Sequence, residues 1–149
     1  MKGIIKMNTL EQLTQTFNDN FVAYYRSHVA HVNILGRNFY SDHKLLQKIY
    51  EDLQDQIDKI AELIRTIDGF MPEEIQDVLN RSNIPTTVLM GDSDTLLTEV
   101  KNDLESLKGE YETLMAVSES EGHEEISNYA QDRVLALAKF IWMLESTLS

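Results

Sequence analysis

The segment from Ser41 to Thr66 contains neither glycine nor proline, and its apolar residues recur at intervals of three and four. This spacing places the apolar side chains on one face of an α-helix and the polar ones on the other. The segment therefore predicts one long amphipathic helix. Its apolar positions, with one just beyond it, are Leu46, Ile49, Tyr50, Leu53, Ile57, Ile60, Ile64 and Ile67.

Two pairs of residues able to ligate a metal lie on this predicted helix. His43 and Gln47 are one turn apart, and so are Asp58 and Glu62. His43 and Asp58 are separated by roughly 22 Å along the helix axis, at 1.5 Å per residue, so one metal ion cannot contact both pairs within one subunit. Two copies of the helix running antiparallel about a twofold axis would bring His43 of one copy opposite the two acids of the other. If these residues form a site, it lies between subunits.

Composition narrows the class of protein. A chain of 149 residues is long enough for one domain with its own core. Its net charge of −12 argues against a general nucleic-acid binder, although an acidic surface attracts cations. Without cysteine, disulfides and thiolate metal sites are excluded. The start, MKGIIKMN, has no apolar run typical of a signal peptide, and Met7 is an alternative start. We therefore expect a soluble, cytoplasmic protein.

Three more long helices and one short helix are predicted in the rest of the chain. The helix that comes first in the sequence begins at Thr9 with a Thr9–Gln12 capping box and ends before Gly36. Its apolar stripe comprises Leu13, Phe17, Phe21, Tyr24, His28, His31 and Leu35.

The remaining predicted helices follow the central one. A short helix starts at Pro72, with Glu73 and Glu74 in its first turn and Ile75, Val78 and Leu79 on its apolar side. A long helix is capped by Asp92 or Ser93 and runs to about Ser118, and the last runs from about Glu124 to the end. The pattern predicts an all-α four-helix bundle with a short extra helix between the second and third long helices, in one domain over residues 1–149.

Several motifs in this order resemble one known family. HVNILGRNF, from His31 to Phe39, closely resembles the H-W-N-x-x-G-x-N-F run of the Dps mini-ferritins, and His43 follows at the family's spacing. IDKIAELIR resembles the family's I-D-E-I-A-E-R-I segment, and KFIWMLESTL is similar to its K-x-x-W-M-L ending. The resemblance extends over nearly the whole chain.

The resemblance implies a fold, an assembly and a site. Dps proteins are ferritin-like bundles that form hollow dodecamers, with a ferroxidase site across a twofold interface between subunits. By this resemblance His31 and His43 come from one subunit, and Asp58 and Glu62 from its neighbour. The implied activity is oxidation of Fe(II), preferably by hydrogen peroxide, with storage of ferric mineral in the cage, which suppresses hydroxyl-radical formation. The same nitrogen and carboxylate ligands also suit Zn or Mn.

Two residues depart from the family pattern. Gln47 stands where the family usually has an aspartate ligand, and a neutral amide holds a second iron less well than a carboxylate does. Val32 replaces the tryptophan that usually follows the first histidine, which removes a nearby redox-active ring and leaves Tyr24, Tyr50 and Trp142 as candidates. We expect iron binding to survive these changes better than fast oxidation does.

Glu121, Glu124 and Glu125 at the start of the last helix have two interpretations. They stabilise the positive end of the helix dipole, or, as the resemblance implies, they line an acidic threefold pore that admits Fe(II). His28 is expected to be a packed or interface histidine and not a ligand. The long helices contain no E-x-x-H pair, so a di-iron site within one subunit is not expected.

Two alternatives to an iron-oxidising cage stay open. The first is a Dps-like cage with impaired ferroxidase activity and a structural or DNA-protective role. Many Dps proteins bind DNA through basic tails, but this chain has only Lys2 and Lys6 before its first helix, so direct DNA binding is not expected and only bridging by divalent cations is left. The second is a helical interaction module without metal, which would leave the spacing of the histidines and acids unexplained.

Overall fold

Residues 7–149 are described by the structure, a computed structural model, and five α-helices account for most of them. α1 spans Thr9–Asn33, α2 Phe39–Thr66, α3 Ile75–Arg81, α4 Ser93–Ser120 and α5 Glu124–Leu148. This range contains no β-strand, so the predicted all-α fold with a short third helix is confirmed. Within it, no helix is both long and apolar enough to cross a bilayer. Lys2, Lys6 and most of the MKGIIKMN segment lie outside the described residues.

Hydrogen bonds between helices define their directions. Thr9 at the start of α1 bonds to Glu121 at the end of α4, and Arg26 near the end of α1 bonds to Asp103 in the first half of α4. α1 and α4 are therefore antiparallel. α1 and α2, and likewise α4 and α5, are antiparallel hairpins, so α2 and α4 run in the same direction. The connection between α2 and α4 must return along the whole bundle, and α3 lies on it, as in the one-crossover topology of ferritin-like folds.

The predicted apolar faces form the core. Five of the predicted α2 positions are 0% exposed: Leu46, Ile49, Leu53, Ile60 and Ile64. The apolar positions that helical spacing predicts on α4 are buried as well: Leu96, Val100, Leu104, Leu107, Tyr111 and Leu114. Leu35 is the exception, because it is 79% exposed. α1 ends at Asn33 and the backbone of Ile34 is extended, so the helical stripe stops there and Ile34 takes the buried place instead.

The predicted capping box of α1 is wrong by one residue. Asn8 is the N-cap and exchanges hydrogen bonds with Glu11, forming the same type of box one position earlier. The side chains predicted to cap have partners on α4. The Thr9 hydroxyl and backbone N–H both donate to Glu121, and the Gln12 amide donates to Glu110.

Two other helix starts differ from the prediction. α2 begins at Phe39 and not at Ser41. α3 begins at Ile75 and not at Pro72, because Glu74 has an extended backbone and is the N-cap. Ile75 is 65% exposed, so only Val78 and Leu79 form the apolar side of α3. The predicted cap of α4 is confirmed, since Asp92 accepts a hydrogen bond from the Thr95 N–H at 2.8 Å.

Asp19 ties α1 to the crossover that carries α3. Its Oδ1 accepts hydrogen bonds from the Asn83 N–H at 2.7 Å and from the Gln15 amide at 3.1 Å. Its Oδ2 is buried and has no partner among the described residues. Burial raises the pKa of Asp19 to about 6, and the negative charge of Glu110 acts in the same direction, while the two hydrogen bonds oppose them.

This raised pKa predicts a pH-dependent loss of stability. Between the ordinary carboxyl pKa of 3.8 and about 6, the native Asp19 stays protonated while the unfolded one ionises. The contribution of Asp19 to stability is therefore fully present below the pKa of the unfolded state. It is lost as the pH rises through the pKa of the folded state. We expect the wild type to lose on the order of 3 kcal/mol relative to Asp19→Asn between pH 4 and pH 7.

Thermal midpoints at fixed protomer concentration, measured across that pH range, provide the comparison, because assembly also contributes to stability. Asp132→Asn, on an exposed position of α5, is the matched control and should keep the wild-type pH dependence. Parallel pH profiles for the wild type and Asp19→Asn would contradict the prediction.

Candidate metal centre

A short link brings His31 and His43 together at one end of the bundle. His31 lies in the last turn of α1 and His43 in the second turn of α2. Between them Gly36 has a φ of +133°, a conformation that a residue with a Cβ rarely adopts. The two imidazole rings stack with centroids 3.8 Å apart and planes 16° from parallel. The structure thus brings together the two predicted histidine ligands.

Reciprocal hydrogen bonds orient both rings. His31 Nδ1 lies 2.8 Å from the carbonyl oxygen of His43, and His43 Nδ1 lies 2.7 Å from the carbonyl oxygen of His31. A carbonyl only accepts, so each Nδ1 carries the proton and donates. In the neutral ring the lone pair is then on Nε2, which is the arrangement found when a backbone carbonyl holds a metal-ligating histidine in place.

Burial favours the neutral state of His31. Its residue exposure is 8%, and this desolvation lowers its pKa, with the positive charges that His43 and His28 would carry acting in the same direction. The hydrogen bond to the His43 carbonyl and the nearby carboxylate of Glu51 oppose the shift. Neutral imidazole is the form that binds metal, so burial favours the ligating form of His31.

The two predicted acidic ligands are not near the histidines of the same protomer. Asp58 and Glu62 are exposed on α2, one turn from each other, and lie about 22 Å and about 28 Å from His43 along the axis. Within residues 7–149, no three His, Cys, Asp or Glu side chains are close enough together to hold a metal ion. A protomer alone therefore contains only half of the predicted site, and its completion by a second subunit stays a prediction.

Gln47 lies one turn beyond His43, at the position where the sequence departs from the family pattern. Its amide nitrogen donates to Glu51 Oε2 at 3.3 Å. The amide oxygen is the atom left to contact a cation, and it carries no formal charge.

Four apolar side chains on or beside the link that joins His31 to His43 are exposed in the protomer. They are Val32, Leu35, Phe39 and Tyr40, with exposures of 61%, 79%, 40% and 71%. The Phe39 ring also stacks against His43 with centroids 4.9 Å apart. An exposed apolar group of this kind, beside a half-complete site, is typical of a surface that another subunit covers.

Three further aromatic residues, Tyr24, His28 and Tyr50, pack together beside His31. Tyr50 contacts His31, with ring centroids 4.9 Å apart, and stacks on His28 at 3.9 Å. The Tyr24 hydroxyl lies 3.0 Å from His28 Nδ1. His28 is half-buried and packed, as predicted, whereas the convergence of these rings was missed. Helical spacing put Tyr24, His28 and His31 on one stripe, but nothing in the sequence gives the distance to Tyr50 on α2.

The predicted pore residues lie at the opposite end of the bundle. Glu121 is the C-cap of α4, and Glu124 and Glu125 open α5. The hydrogen bonds from Thr9 lower the pKa of Glu121. Glu121 and Glu125 share one cleft with Asp68 and His123. Both interpretations of these acids, helix stabilisation and a cation pore, stay predictions.

Comparisons with known proteins agree with this architecture. Residues 10–149 match the ferritin-like domain family. The chain is 29% identical to the DNA protection during starvation protein of Helicobacter pylori over 96% of this chain and 100% of that one. It is 30% identical to antigen TpF1 of Treponema pallidum, over 93% and 78%.

Solved structures match as well. The crystal structure of Helicobacter cinaedi CAIP superposes with a TM-score of 0.89 at 31% identity, over 95% of this chain and 100% of that one. Dps from Listeria monocytogenes superposes with a TM-score of 0.92 at 22% identity, over 98% and 96%. The fold is that of a ferritin-like protein. Within that class, the chain belongs to the Dps family.

The reciprocal hydrogen bonds predict the tautomers of the two histidines. In the neutral form of each ring, Nδ1 should carry the proton and Nε2 the lone pair. Solid-state NMR of ¹⁵N-histidine-labelled apo-protein distinguishes these nitrogens by chemical shift. The chain has four histidines, so His28→Gln and His123→Gln variants assign the signals. A neutral His31 or His43 ring with its proton on Nε2 in the apo-protein would contradict the prediction.

Proposed function

We propose that this protein is an iron-storing mini-ferritin that oxidises Fe(II), with hydrogen peroxide as oxidant, at sites between subunits of a dodecameric cage. The observation that carries the proposal is the histidine pair. His31 and His43 are held by each other's backbone, their Nε2 atoms are free to ligate, and the acids needed to complete the site are out of reach in the same protomer.

A twofold-related subunit supplies the missing carboxylates in this proposal. An isologous dimer places each α2 against its copy in the opposite direction, so that Asp58 and Glu62 of the partner subunit face His31 and His43. The exposed side chains of Val32, Leu35, Phe39 and Tyr40 become buried in the same contact. Imidazole nitrogen with carboxylate oxygen suits Fe(II) and also Zn or Mn, and these ions compete for the site.

Iron is the substrate, and the chain's residues bind it and balance its charge. The two imidazoles and the partner's two carboxylates hold the cation and favour the higher charge of Fe(III). A net charge of −12 per subunit raises the local Fe(II) concentration. Glu121, Glu124 and Glu125 would guide entry at a threefold pore, although the bonds from Thr9 leave Glu121 less free than the other two. Consumption of peroxide and Fe(II) together protects the cell from hydroxyl radicals, in the cytoplasm that the sequence predicts.

With Gln47 in place of a carboxylate, we expect the same reaction to be slower. The site proposed here holds one iron firmly and a second one weakly, since position 47 offers an amide and not a carboxylate. A cage whose ferroxidase activity is impaired, and whose main role is structural or DNA-protective, is the alternative outcome of the experiments below.

Mixed assemblies test whether the site lies between subunits. One variant, His31→Ala/His43→Ala, lacks the imidazoles, and a second, Asp58→Asn/Glu62→Gln, lacks the acids. Neither should bind Fe(II) or Co(II) alone. After co-expression, a mixed dimer has one complete site, so about a quarter of all sites should recover with random pairing. Visible absorption of Co(II) counts these sites.

The control is each variant expressed alone and treated in the same way as the co-expressed pair. A site made within one subunit would recover nothing on mixing, because every subunit lacks one half. That result would end the inter-subunit proposal. Size-exclusion chromatography of the variants shows whether the assembly is preserved.

The substitution Gln47→Asp should strengthen the second iron position. A charged contact exceeds a neutral one by about 1–1.5 kcal/mol, so we expect on the order of 10-fold tighter binding there and a comparable gain in oxidation rate. Ferric absorbance after anaerobic loading with Fe(II) and addition of peroxide measures the rate. Gln131→Asp, the same change at an exposed position of α5, is the matched control. Equal rates for Gln47→Asp and the wild type would show that position 47 does not limit the reaction.

A further inference from the structure

The exposed face of α2 carries its charges in two blocks. At about 100° per residue, six exposed charged side chains fall within an arc of about 80° around this helix. In chain order, the first two are cationic and the next four are acidic: Lys44, Lys48, Glu51, Asp55, Asp58 and Glu62. We call these six side chains the charged stripe. Lys59, just outside the arc, is the exception in the acidic block.

The charged stripe is unfavourable in a single protomer. Residues four apart are neighbours on a helix surface, and like charges at this spacing repel each other. The stripe contains three such pairs, which are Lys44 with Lys48, Glu51 with Asp55, and Asp58 with Glu62. The ion pairs found within residues 7–149 include none of its six side chains. Opposite charges from another molecule would remove this repulsion.

Two antiparallel copies of the charged stripe are complementary. The proposed function places each α2 against its copy about a twofold axis, with His43 opposite Asp58 and Glu62 of the partner subunit. Lys48 follows His43 by five residues, and Asp55 precedes the midpoint of Asp58 and Glu62 by five. Because the two helices run in opposite directions, Lys48 then lies opposite Asp55 of the partner subunit.

Lys48 and Asp55 also lie on the same side of the helix. They are about 40° and about 20° to one side of the middle of the charged stripe, whereas Gln47 and His43 are about 60° and about 100° to the other side. A twofold axis that makes two helices antiparallel keeps each side of one helix against the same side of the other. The metal site and a contact between Lys48 and Asp55 therefore occupy opposite sides of the interface and do not compete for space.

We infer that Lys48 of each subunit forms an ion pair with Asp55 of the partner subunit, on the side of the twofold contact away from the metal. This inference rests on the proposed function, because it uses the antiparallel contact proposed there. Parallel copies would place each block of charge against itself, so the stripe selects the antiparallel contact. Glu51 lies nearest the axis and faces its own copy, and Lys48, three residues away on each helix, offsets that repulsion.

Disulfide cross-linking tests the facing positions. The chain has no cysteine, so Lys48→Cys/Asp55→Cys introduces the only thiols. Within one subunit these positions are about 10 Å apart along the axis, too far for a disulfide. Metal-free protein oxidised with diamide should therefore form covalent dimers on a non-reducing gel. Lys44→Cys/Asp55→Cys is the matched control for a register shifted by one turn, and it should give no dimers in the time that the first variant reacts fully.

Exchange of the two charges tests the ion pair itself. Lys48→Glu places a carboxylate opposite Asp55 of the partner subunit and should lower the thermal midpoint by several degrees at low ionic strength and fixed protomer concentration. Asp55→Lys should have a similar effect, since two amines then face each other. Lys48→Glu/Asp55→Lys restores opposite charges at the same place, keeps the net charge of −12 and should recover most of the loss. In about 1 M NaCl these differences should shrink.

The outcomes separate this inference from the proposed function. Dimers of Lys48→Cys/Asp55→Cys in a protein that binds no Co(II) or Fe(II) would support the ion pair and overturn the metal site. Co(II) sites that recover in mixed assemblies without such dimers, or dimers of the control variant in their place, overturn the ion pair alone. A charge-exchanged variant no more stable than either single variant also overturns it. Absence of both dimers and Co(II) sites overturns both, with circular dichroism as the check that each variant is folded.

Discussion

Ion pairs between the two helical hairpins fix the register on which the rest of the bundle depends. Arg26 on α1 bonds to Asp103 on α4 at 2.7 Å, and both side chains are 5% exposed. Arg133 on α5 contacts both oxygens of Asp52 on α2, at 3.1 and 2.6 Å. Leucine-rich faces could slide past one another by a turn at small cost, whereas a buried charge displaced from its partner is strongly unfavourable. The ion pairs therefore select one alignment of the hairpins, and that alignment leaves the outer face of α2 free.

The periodicity of the sequence was sufficient to predict the helices but not the residues at which they begin and end. The apolar faces of α2 and α4 were predictable because burial of a helical stripe is a local pattern. The capping box of α1 was misplaced because Thr9 and Gln12 bond to Glu121 and Glu110, which are about a hundred positions away in the chain. Leu35 was misplaced because the end of α1 depends on the extended backbone at Ile34. Contacts between distant segments decided the first of these cases, and a local change of backbone conformation decided the second.

The candidate site also has a part that the sequence could predict and a part that it could not. The distance between His43 and Asp58 follows from the rise of a helix, so the separation of imidazoles and acids within a protomer was predictable. The exchange of Nδ1 hydrogen bonds between His31 and His43 was not, because it depends on the backbone angles of the link. Half of the site is nevertheless organised before any partner or metal arrives. Metal that bridges two such halves stabilises the assembled form over free subunits by mass action, which couples iron supply to the integrity of the proposed cage.

The histidine half-site depends on Gly36, which lies in the link between α1 and α2 and is not itself a candidate ligand. A methyl group there would meet Ser93 Oγ only at 3.7 Å, so space is not the obstacle. The obstacle is a backbone angle that any larger residue would tend to abandon by rotating the link. Such a rotation would turn the first turns of α2 against α1 and part the two imidazoles while the leucines of the interior stayed in place. An inherited change at this single position would therefore disable the proposed metal site while the core stayed packed, a defect that measurements of folding alone would not reveal.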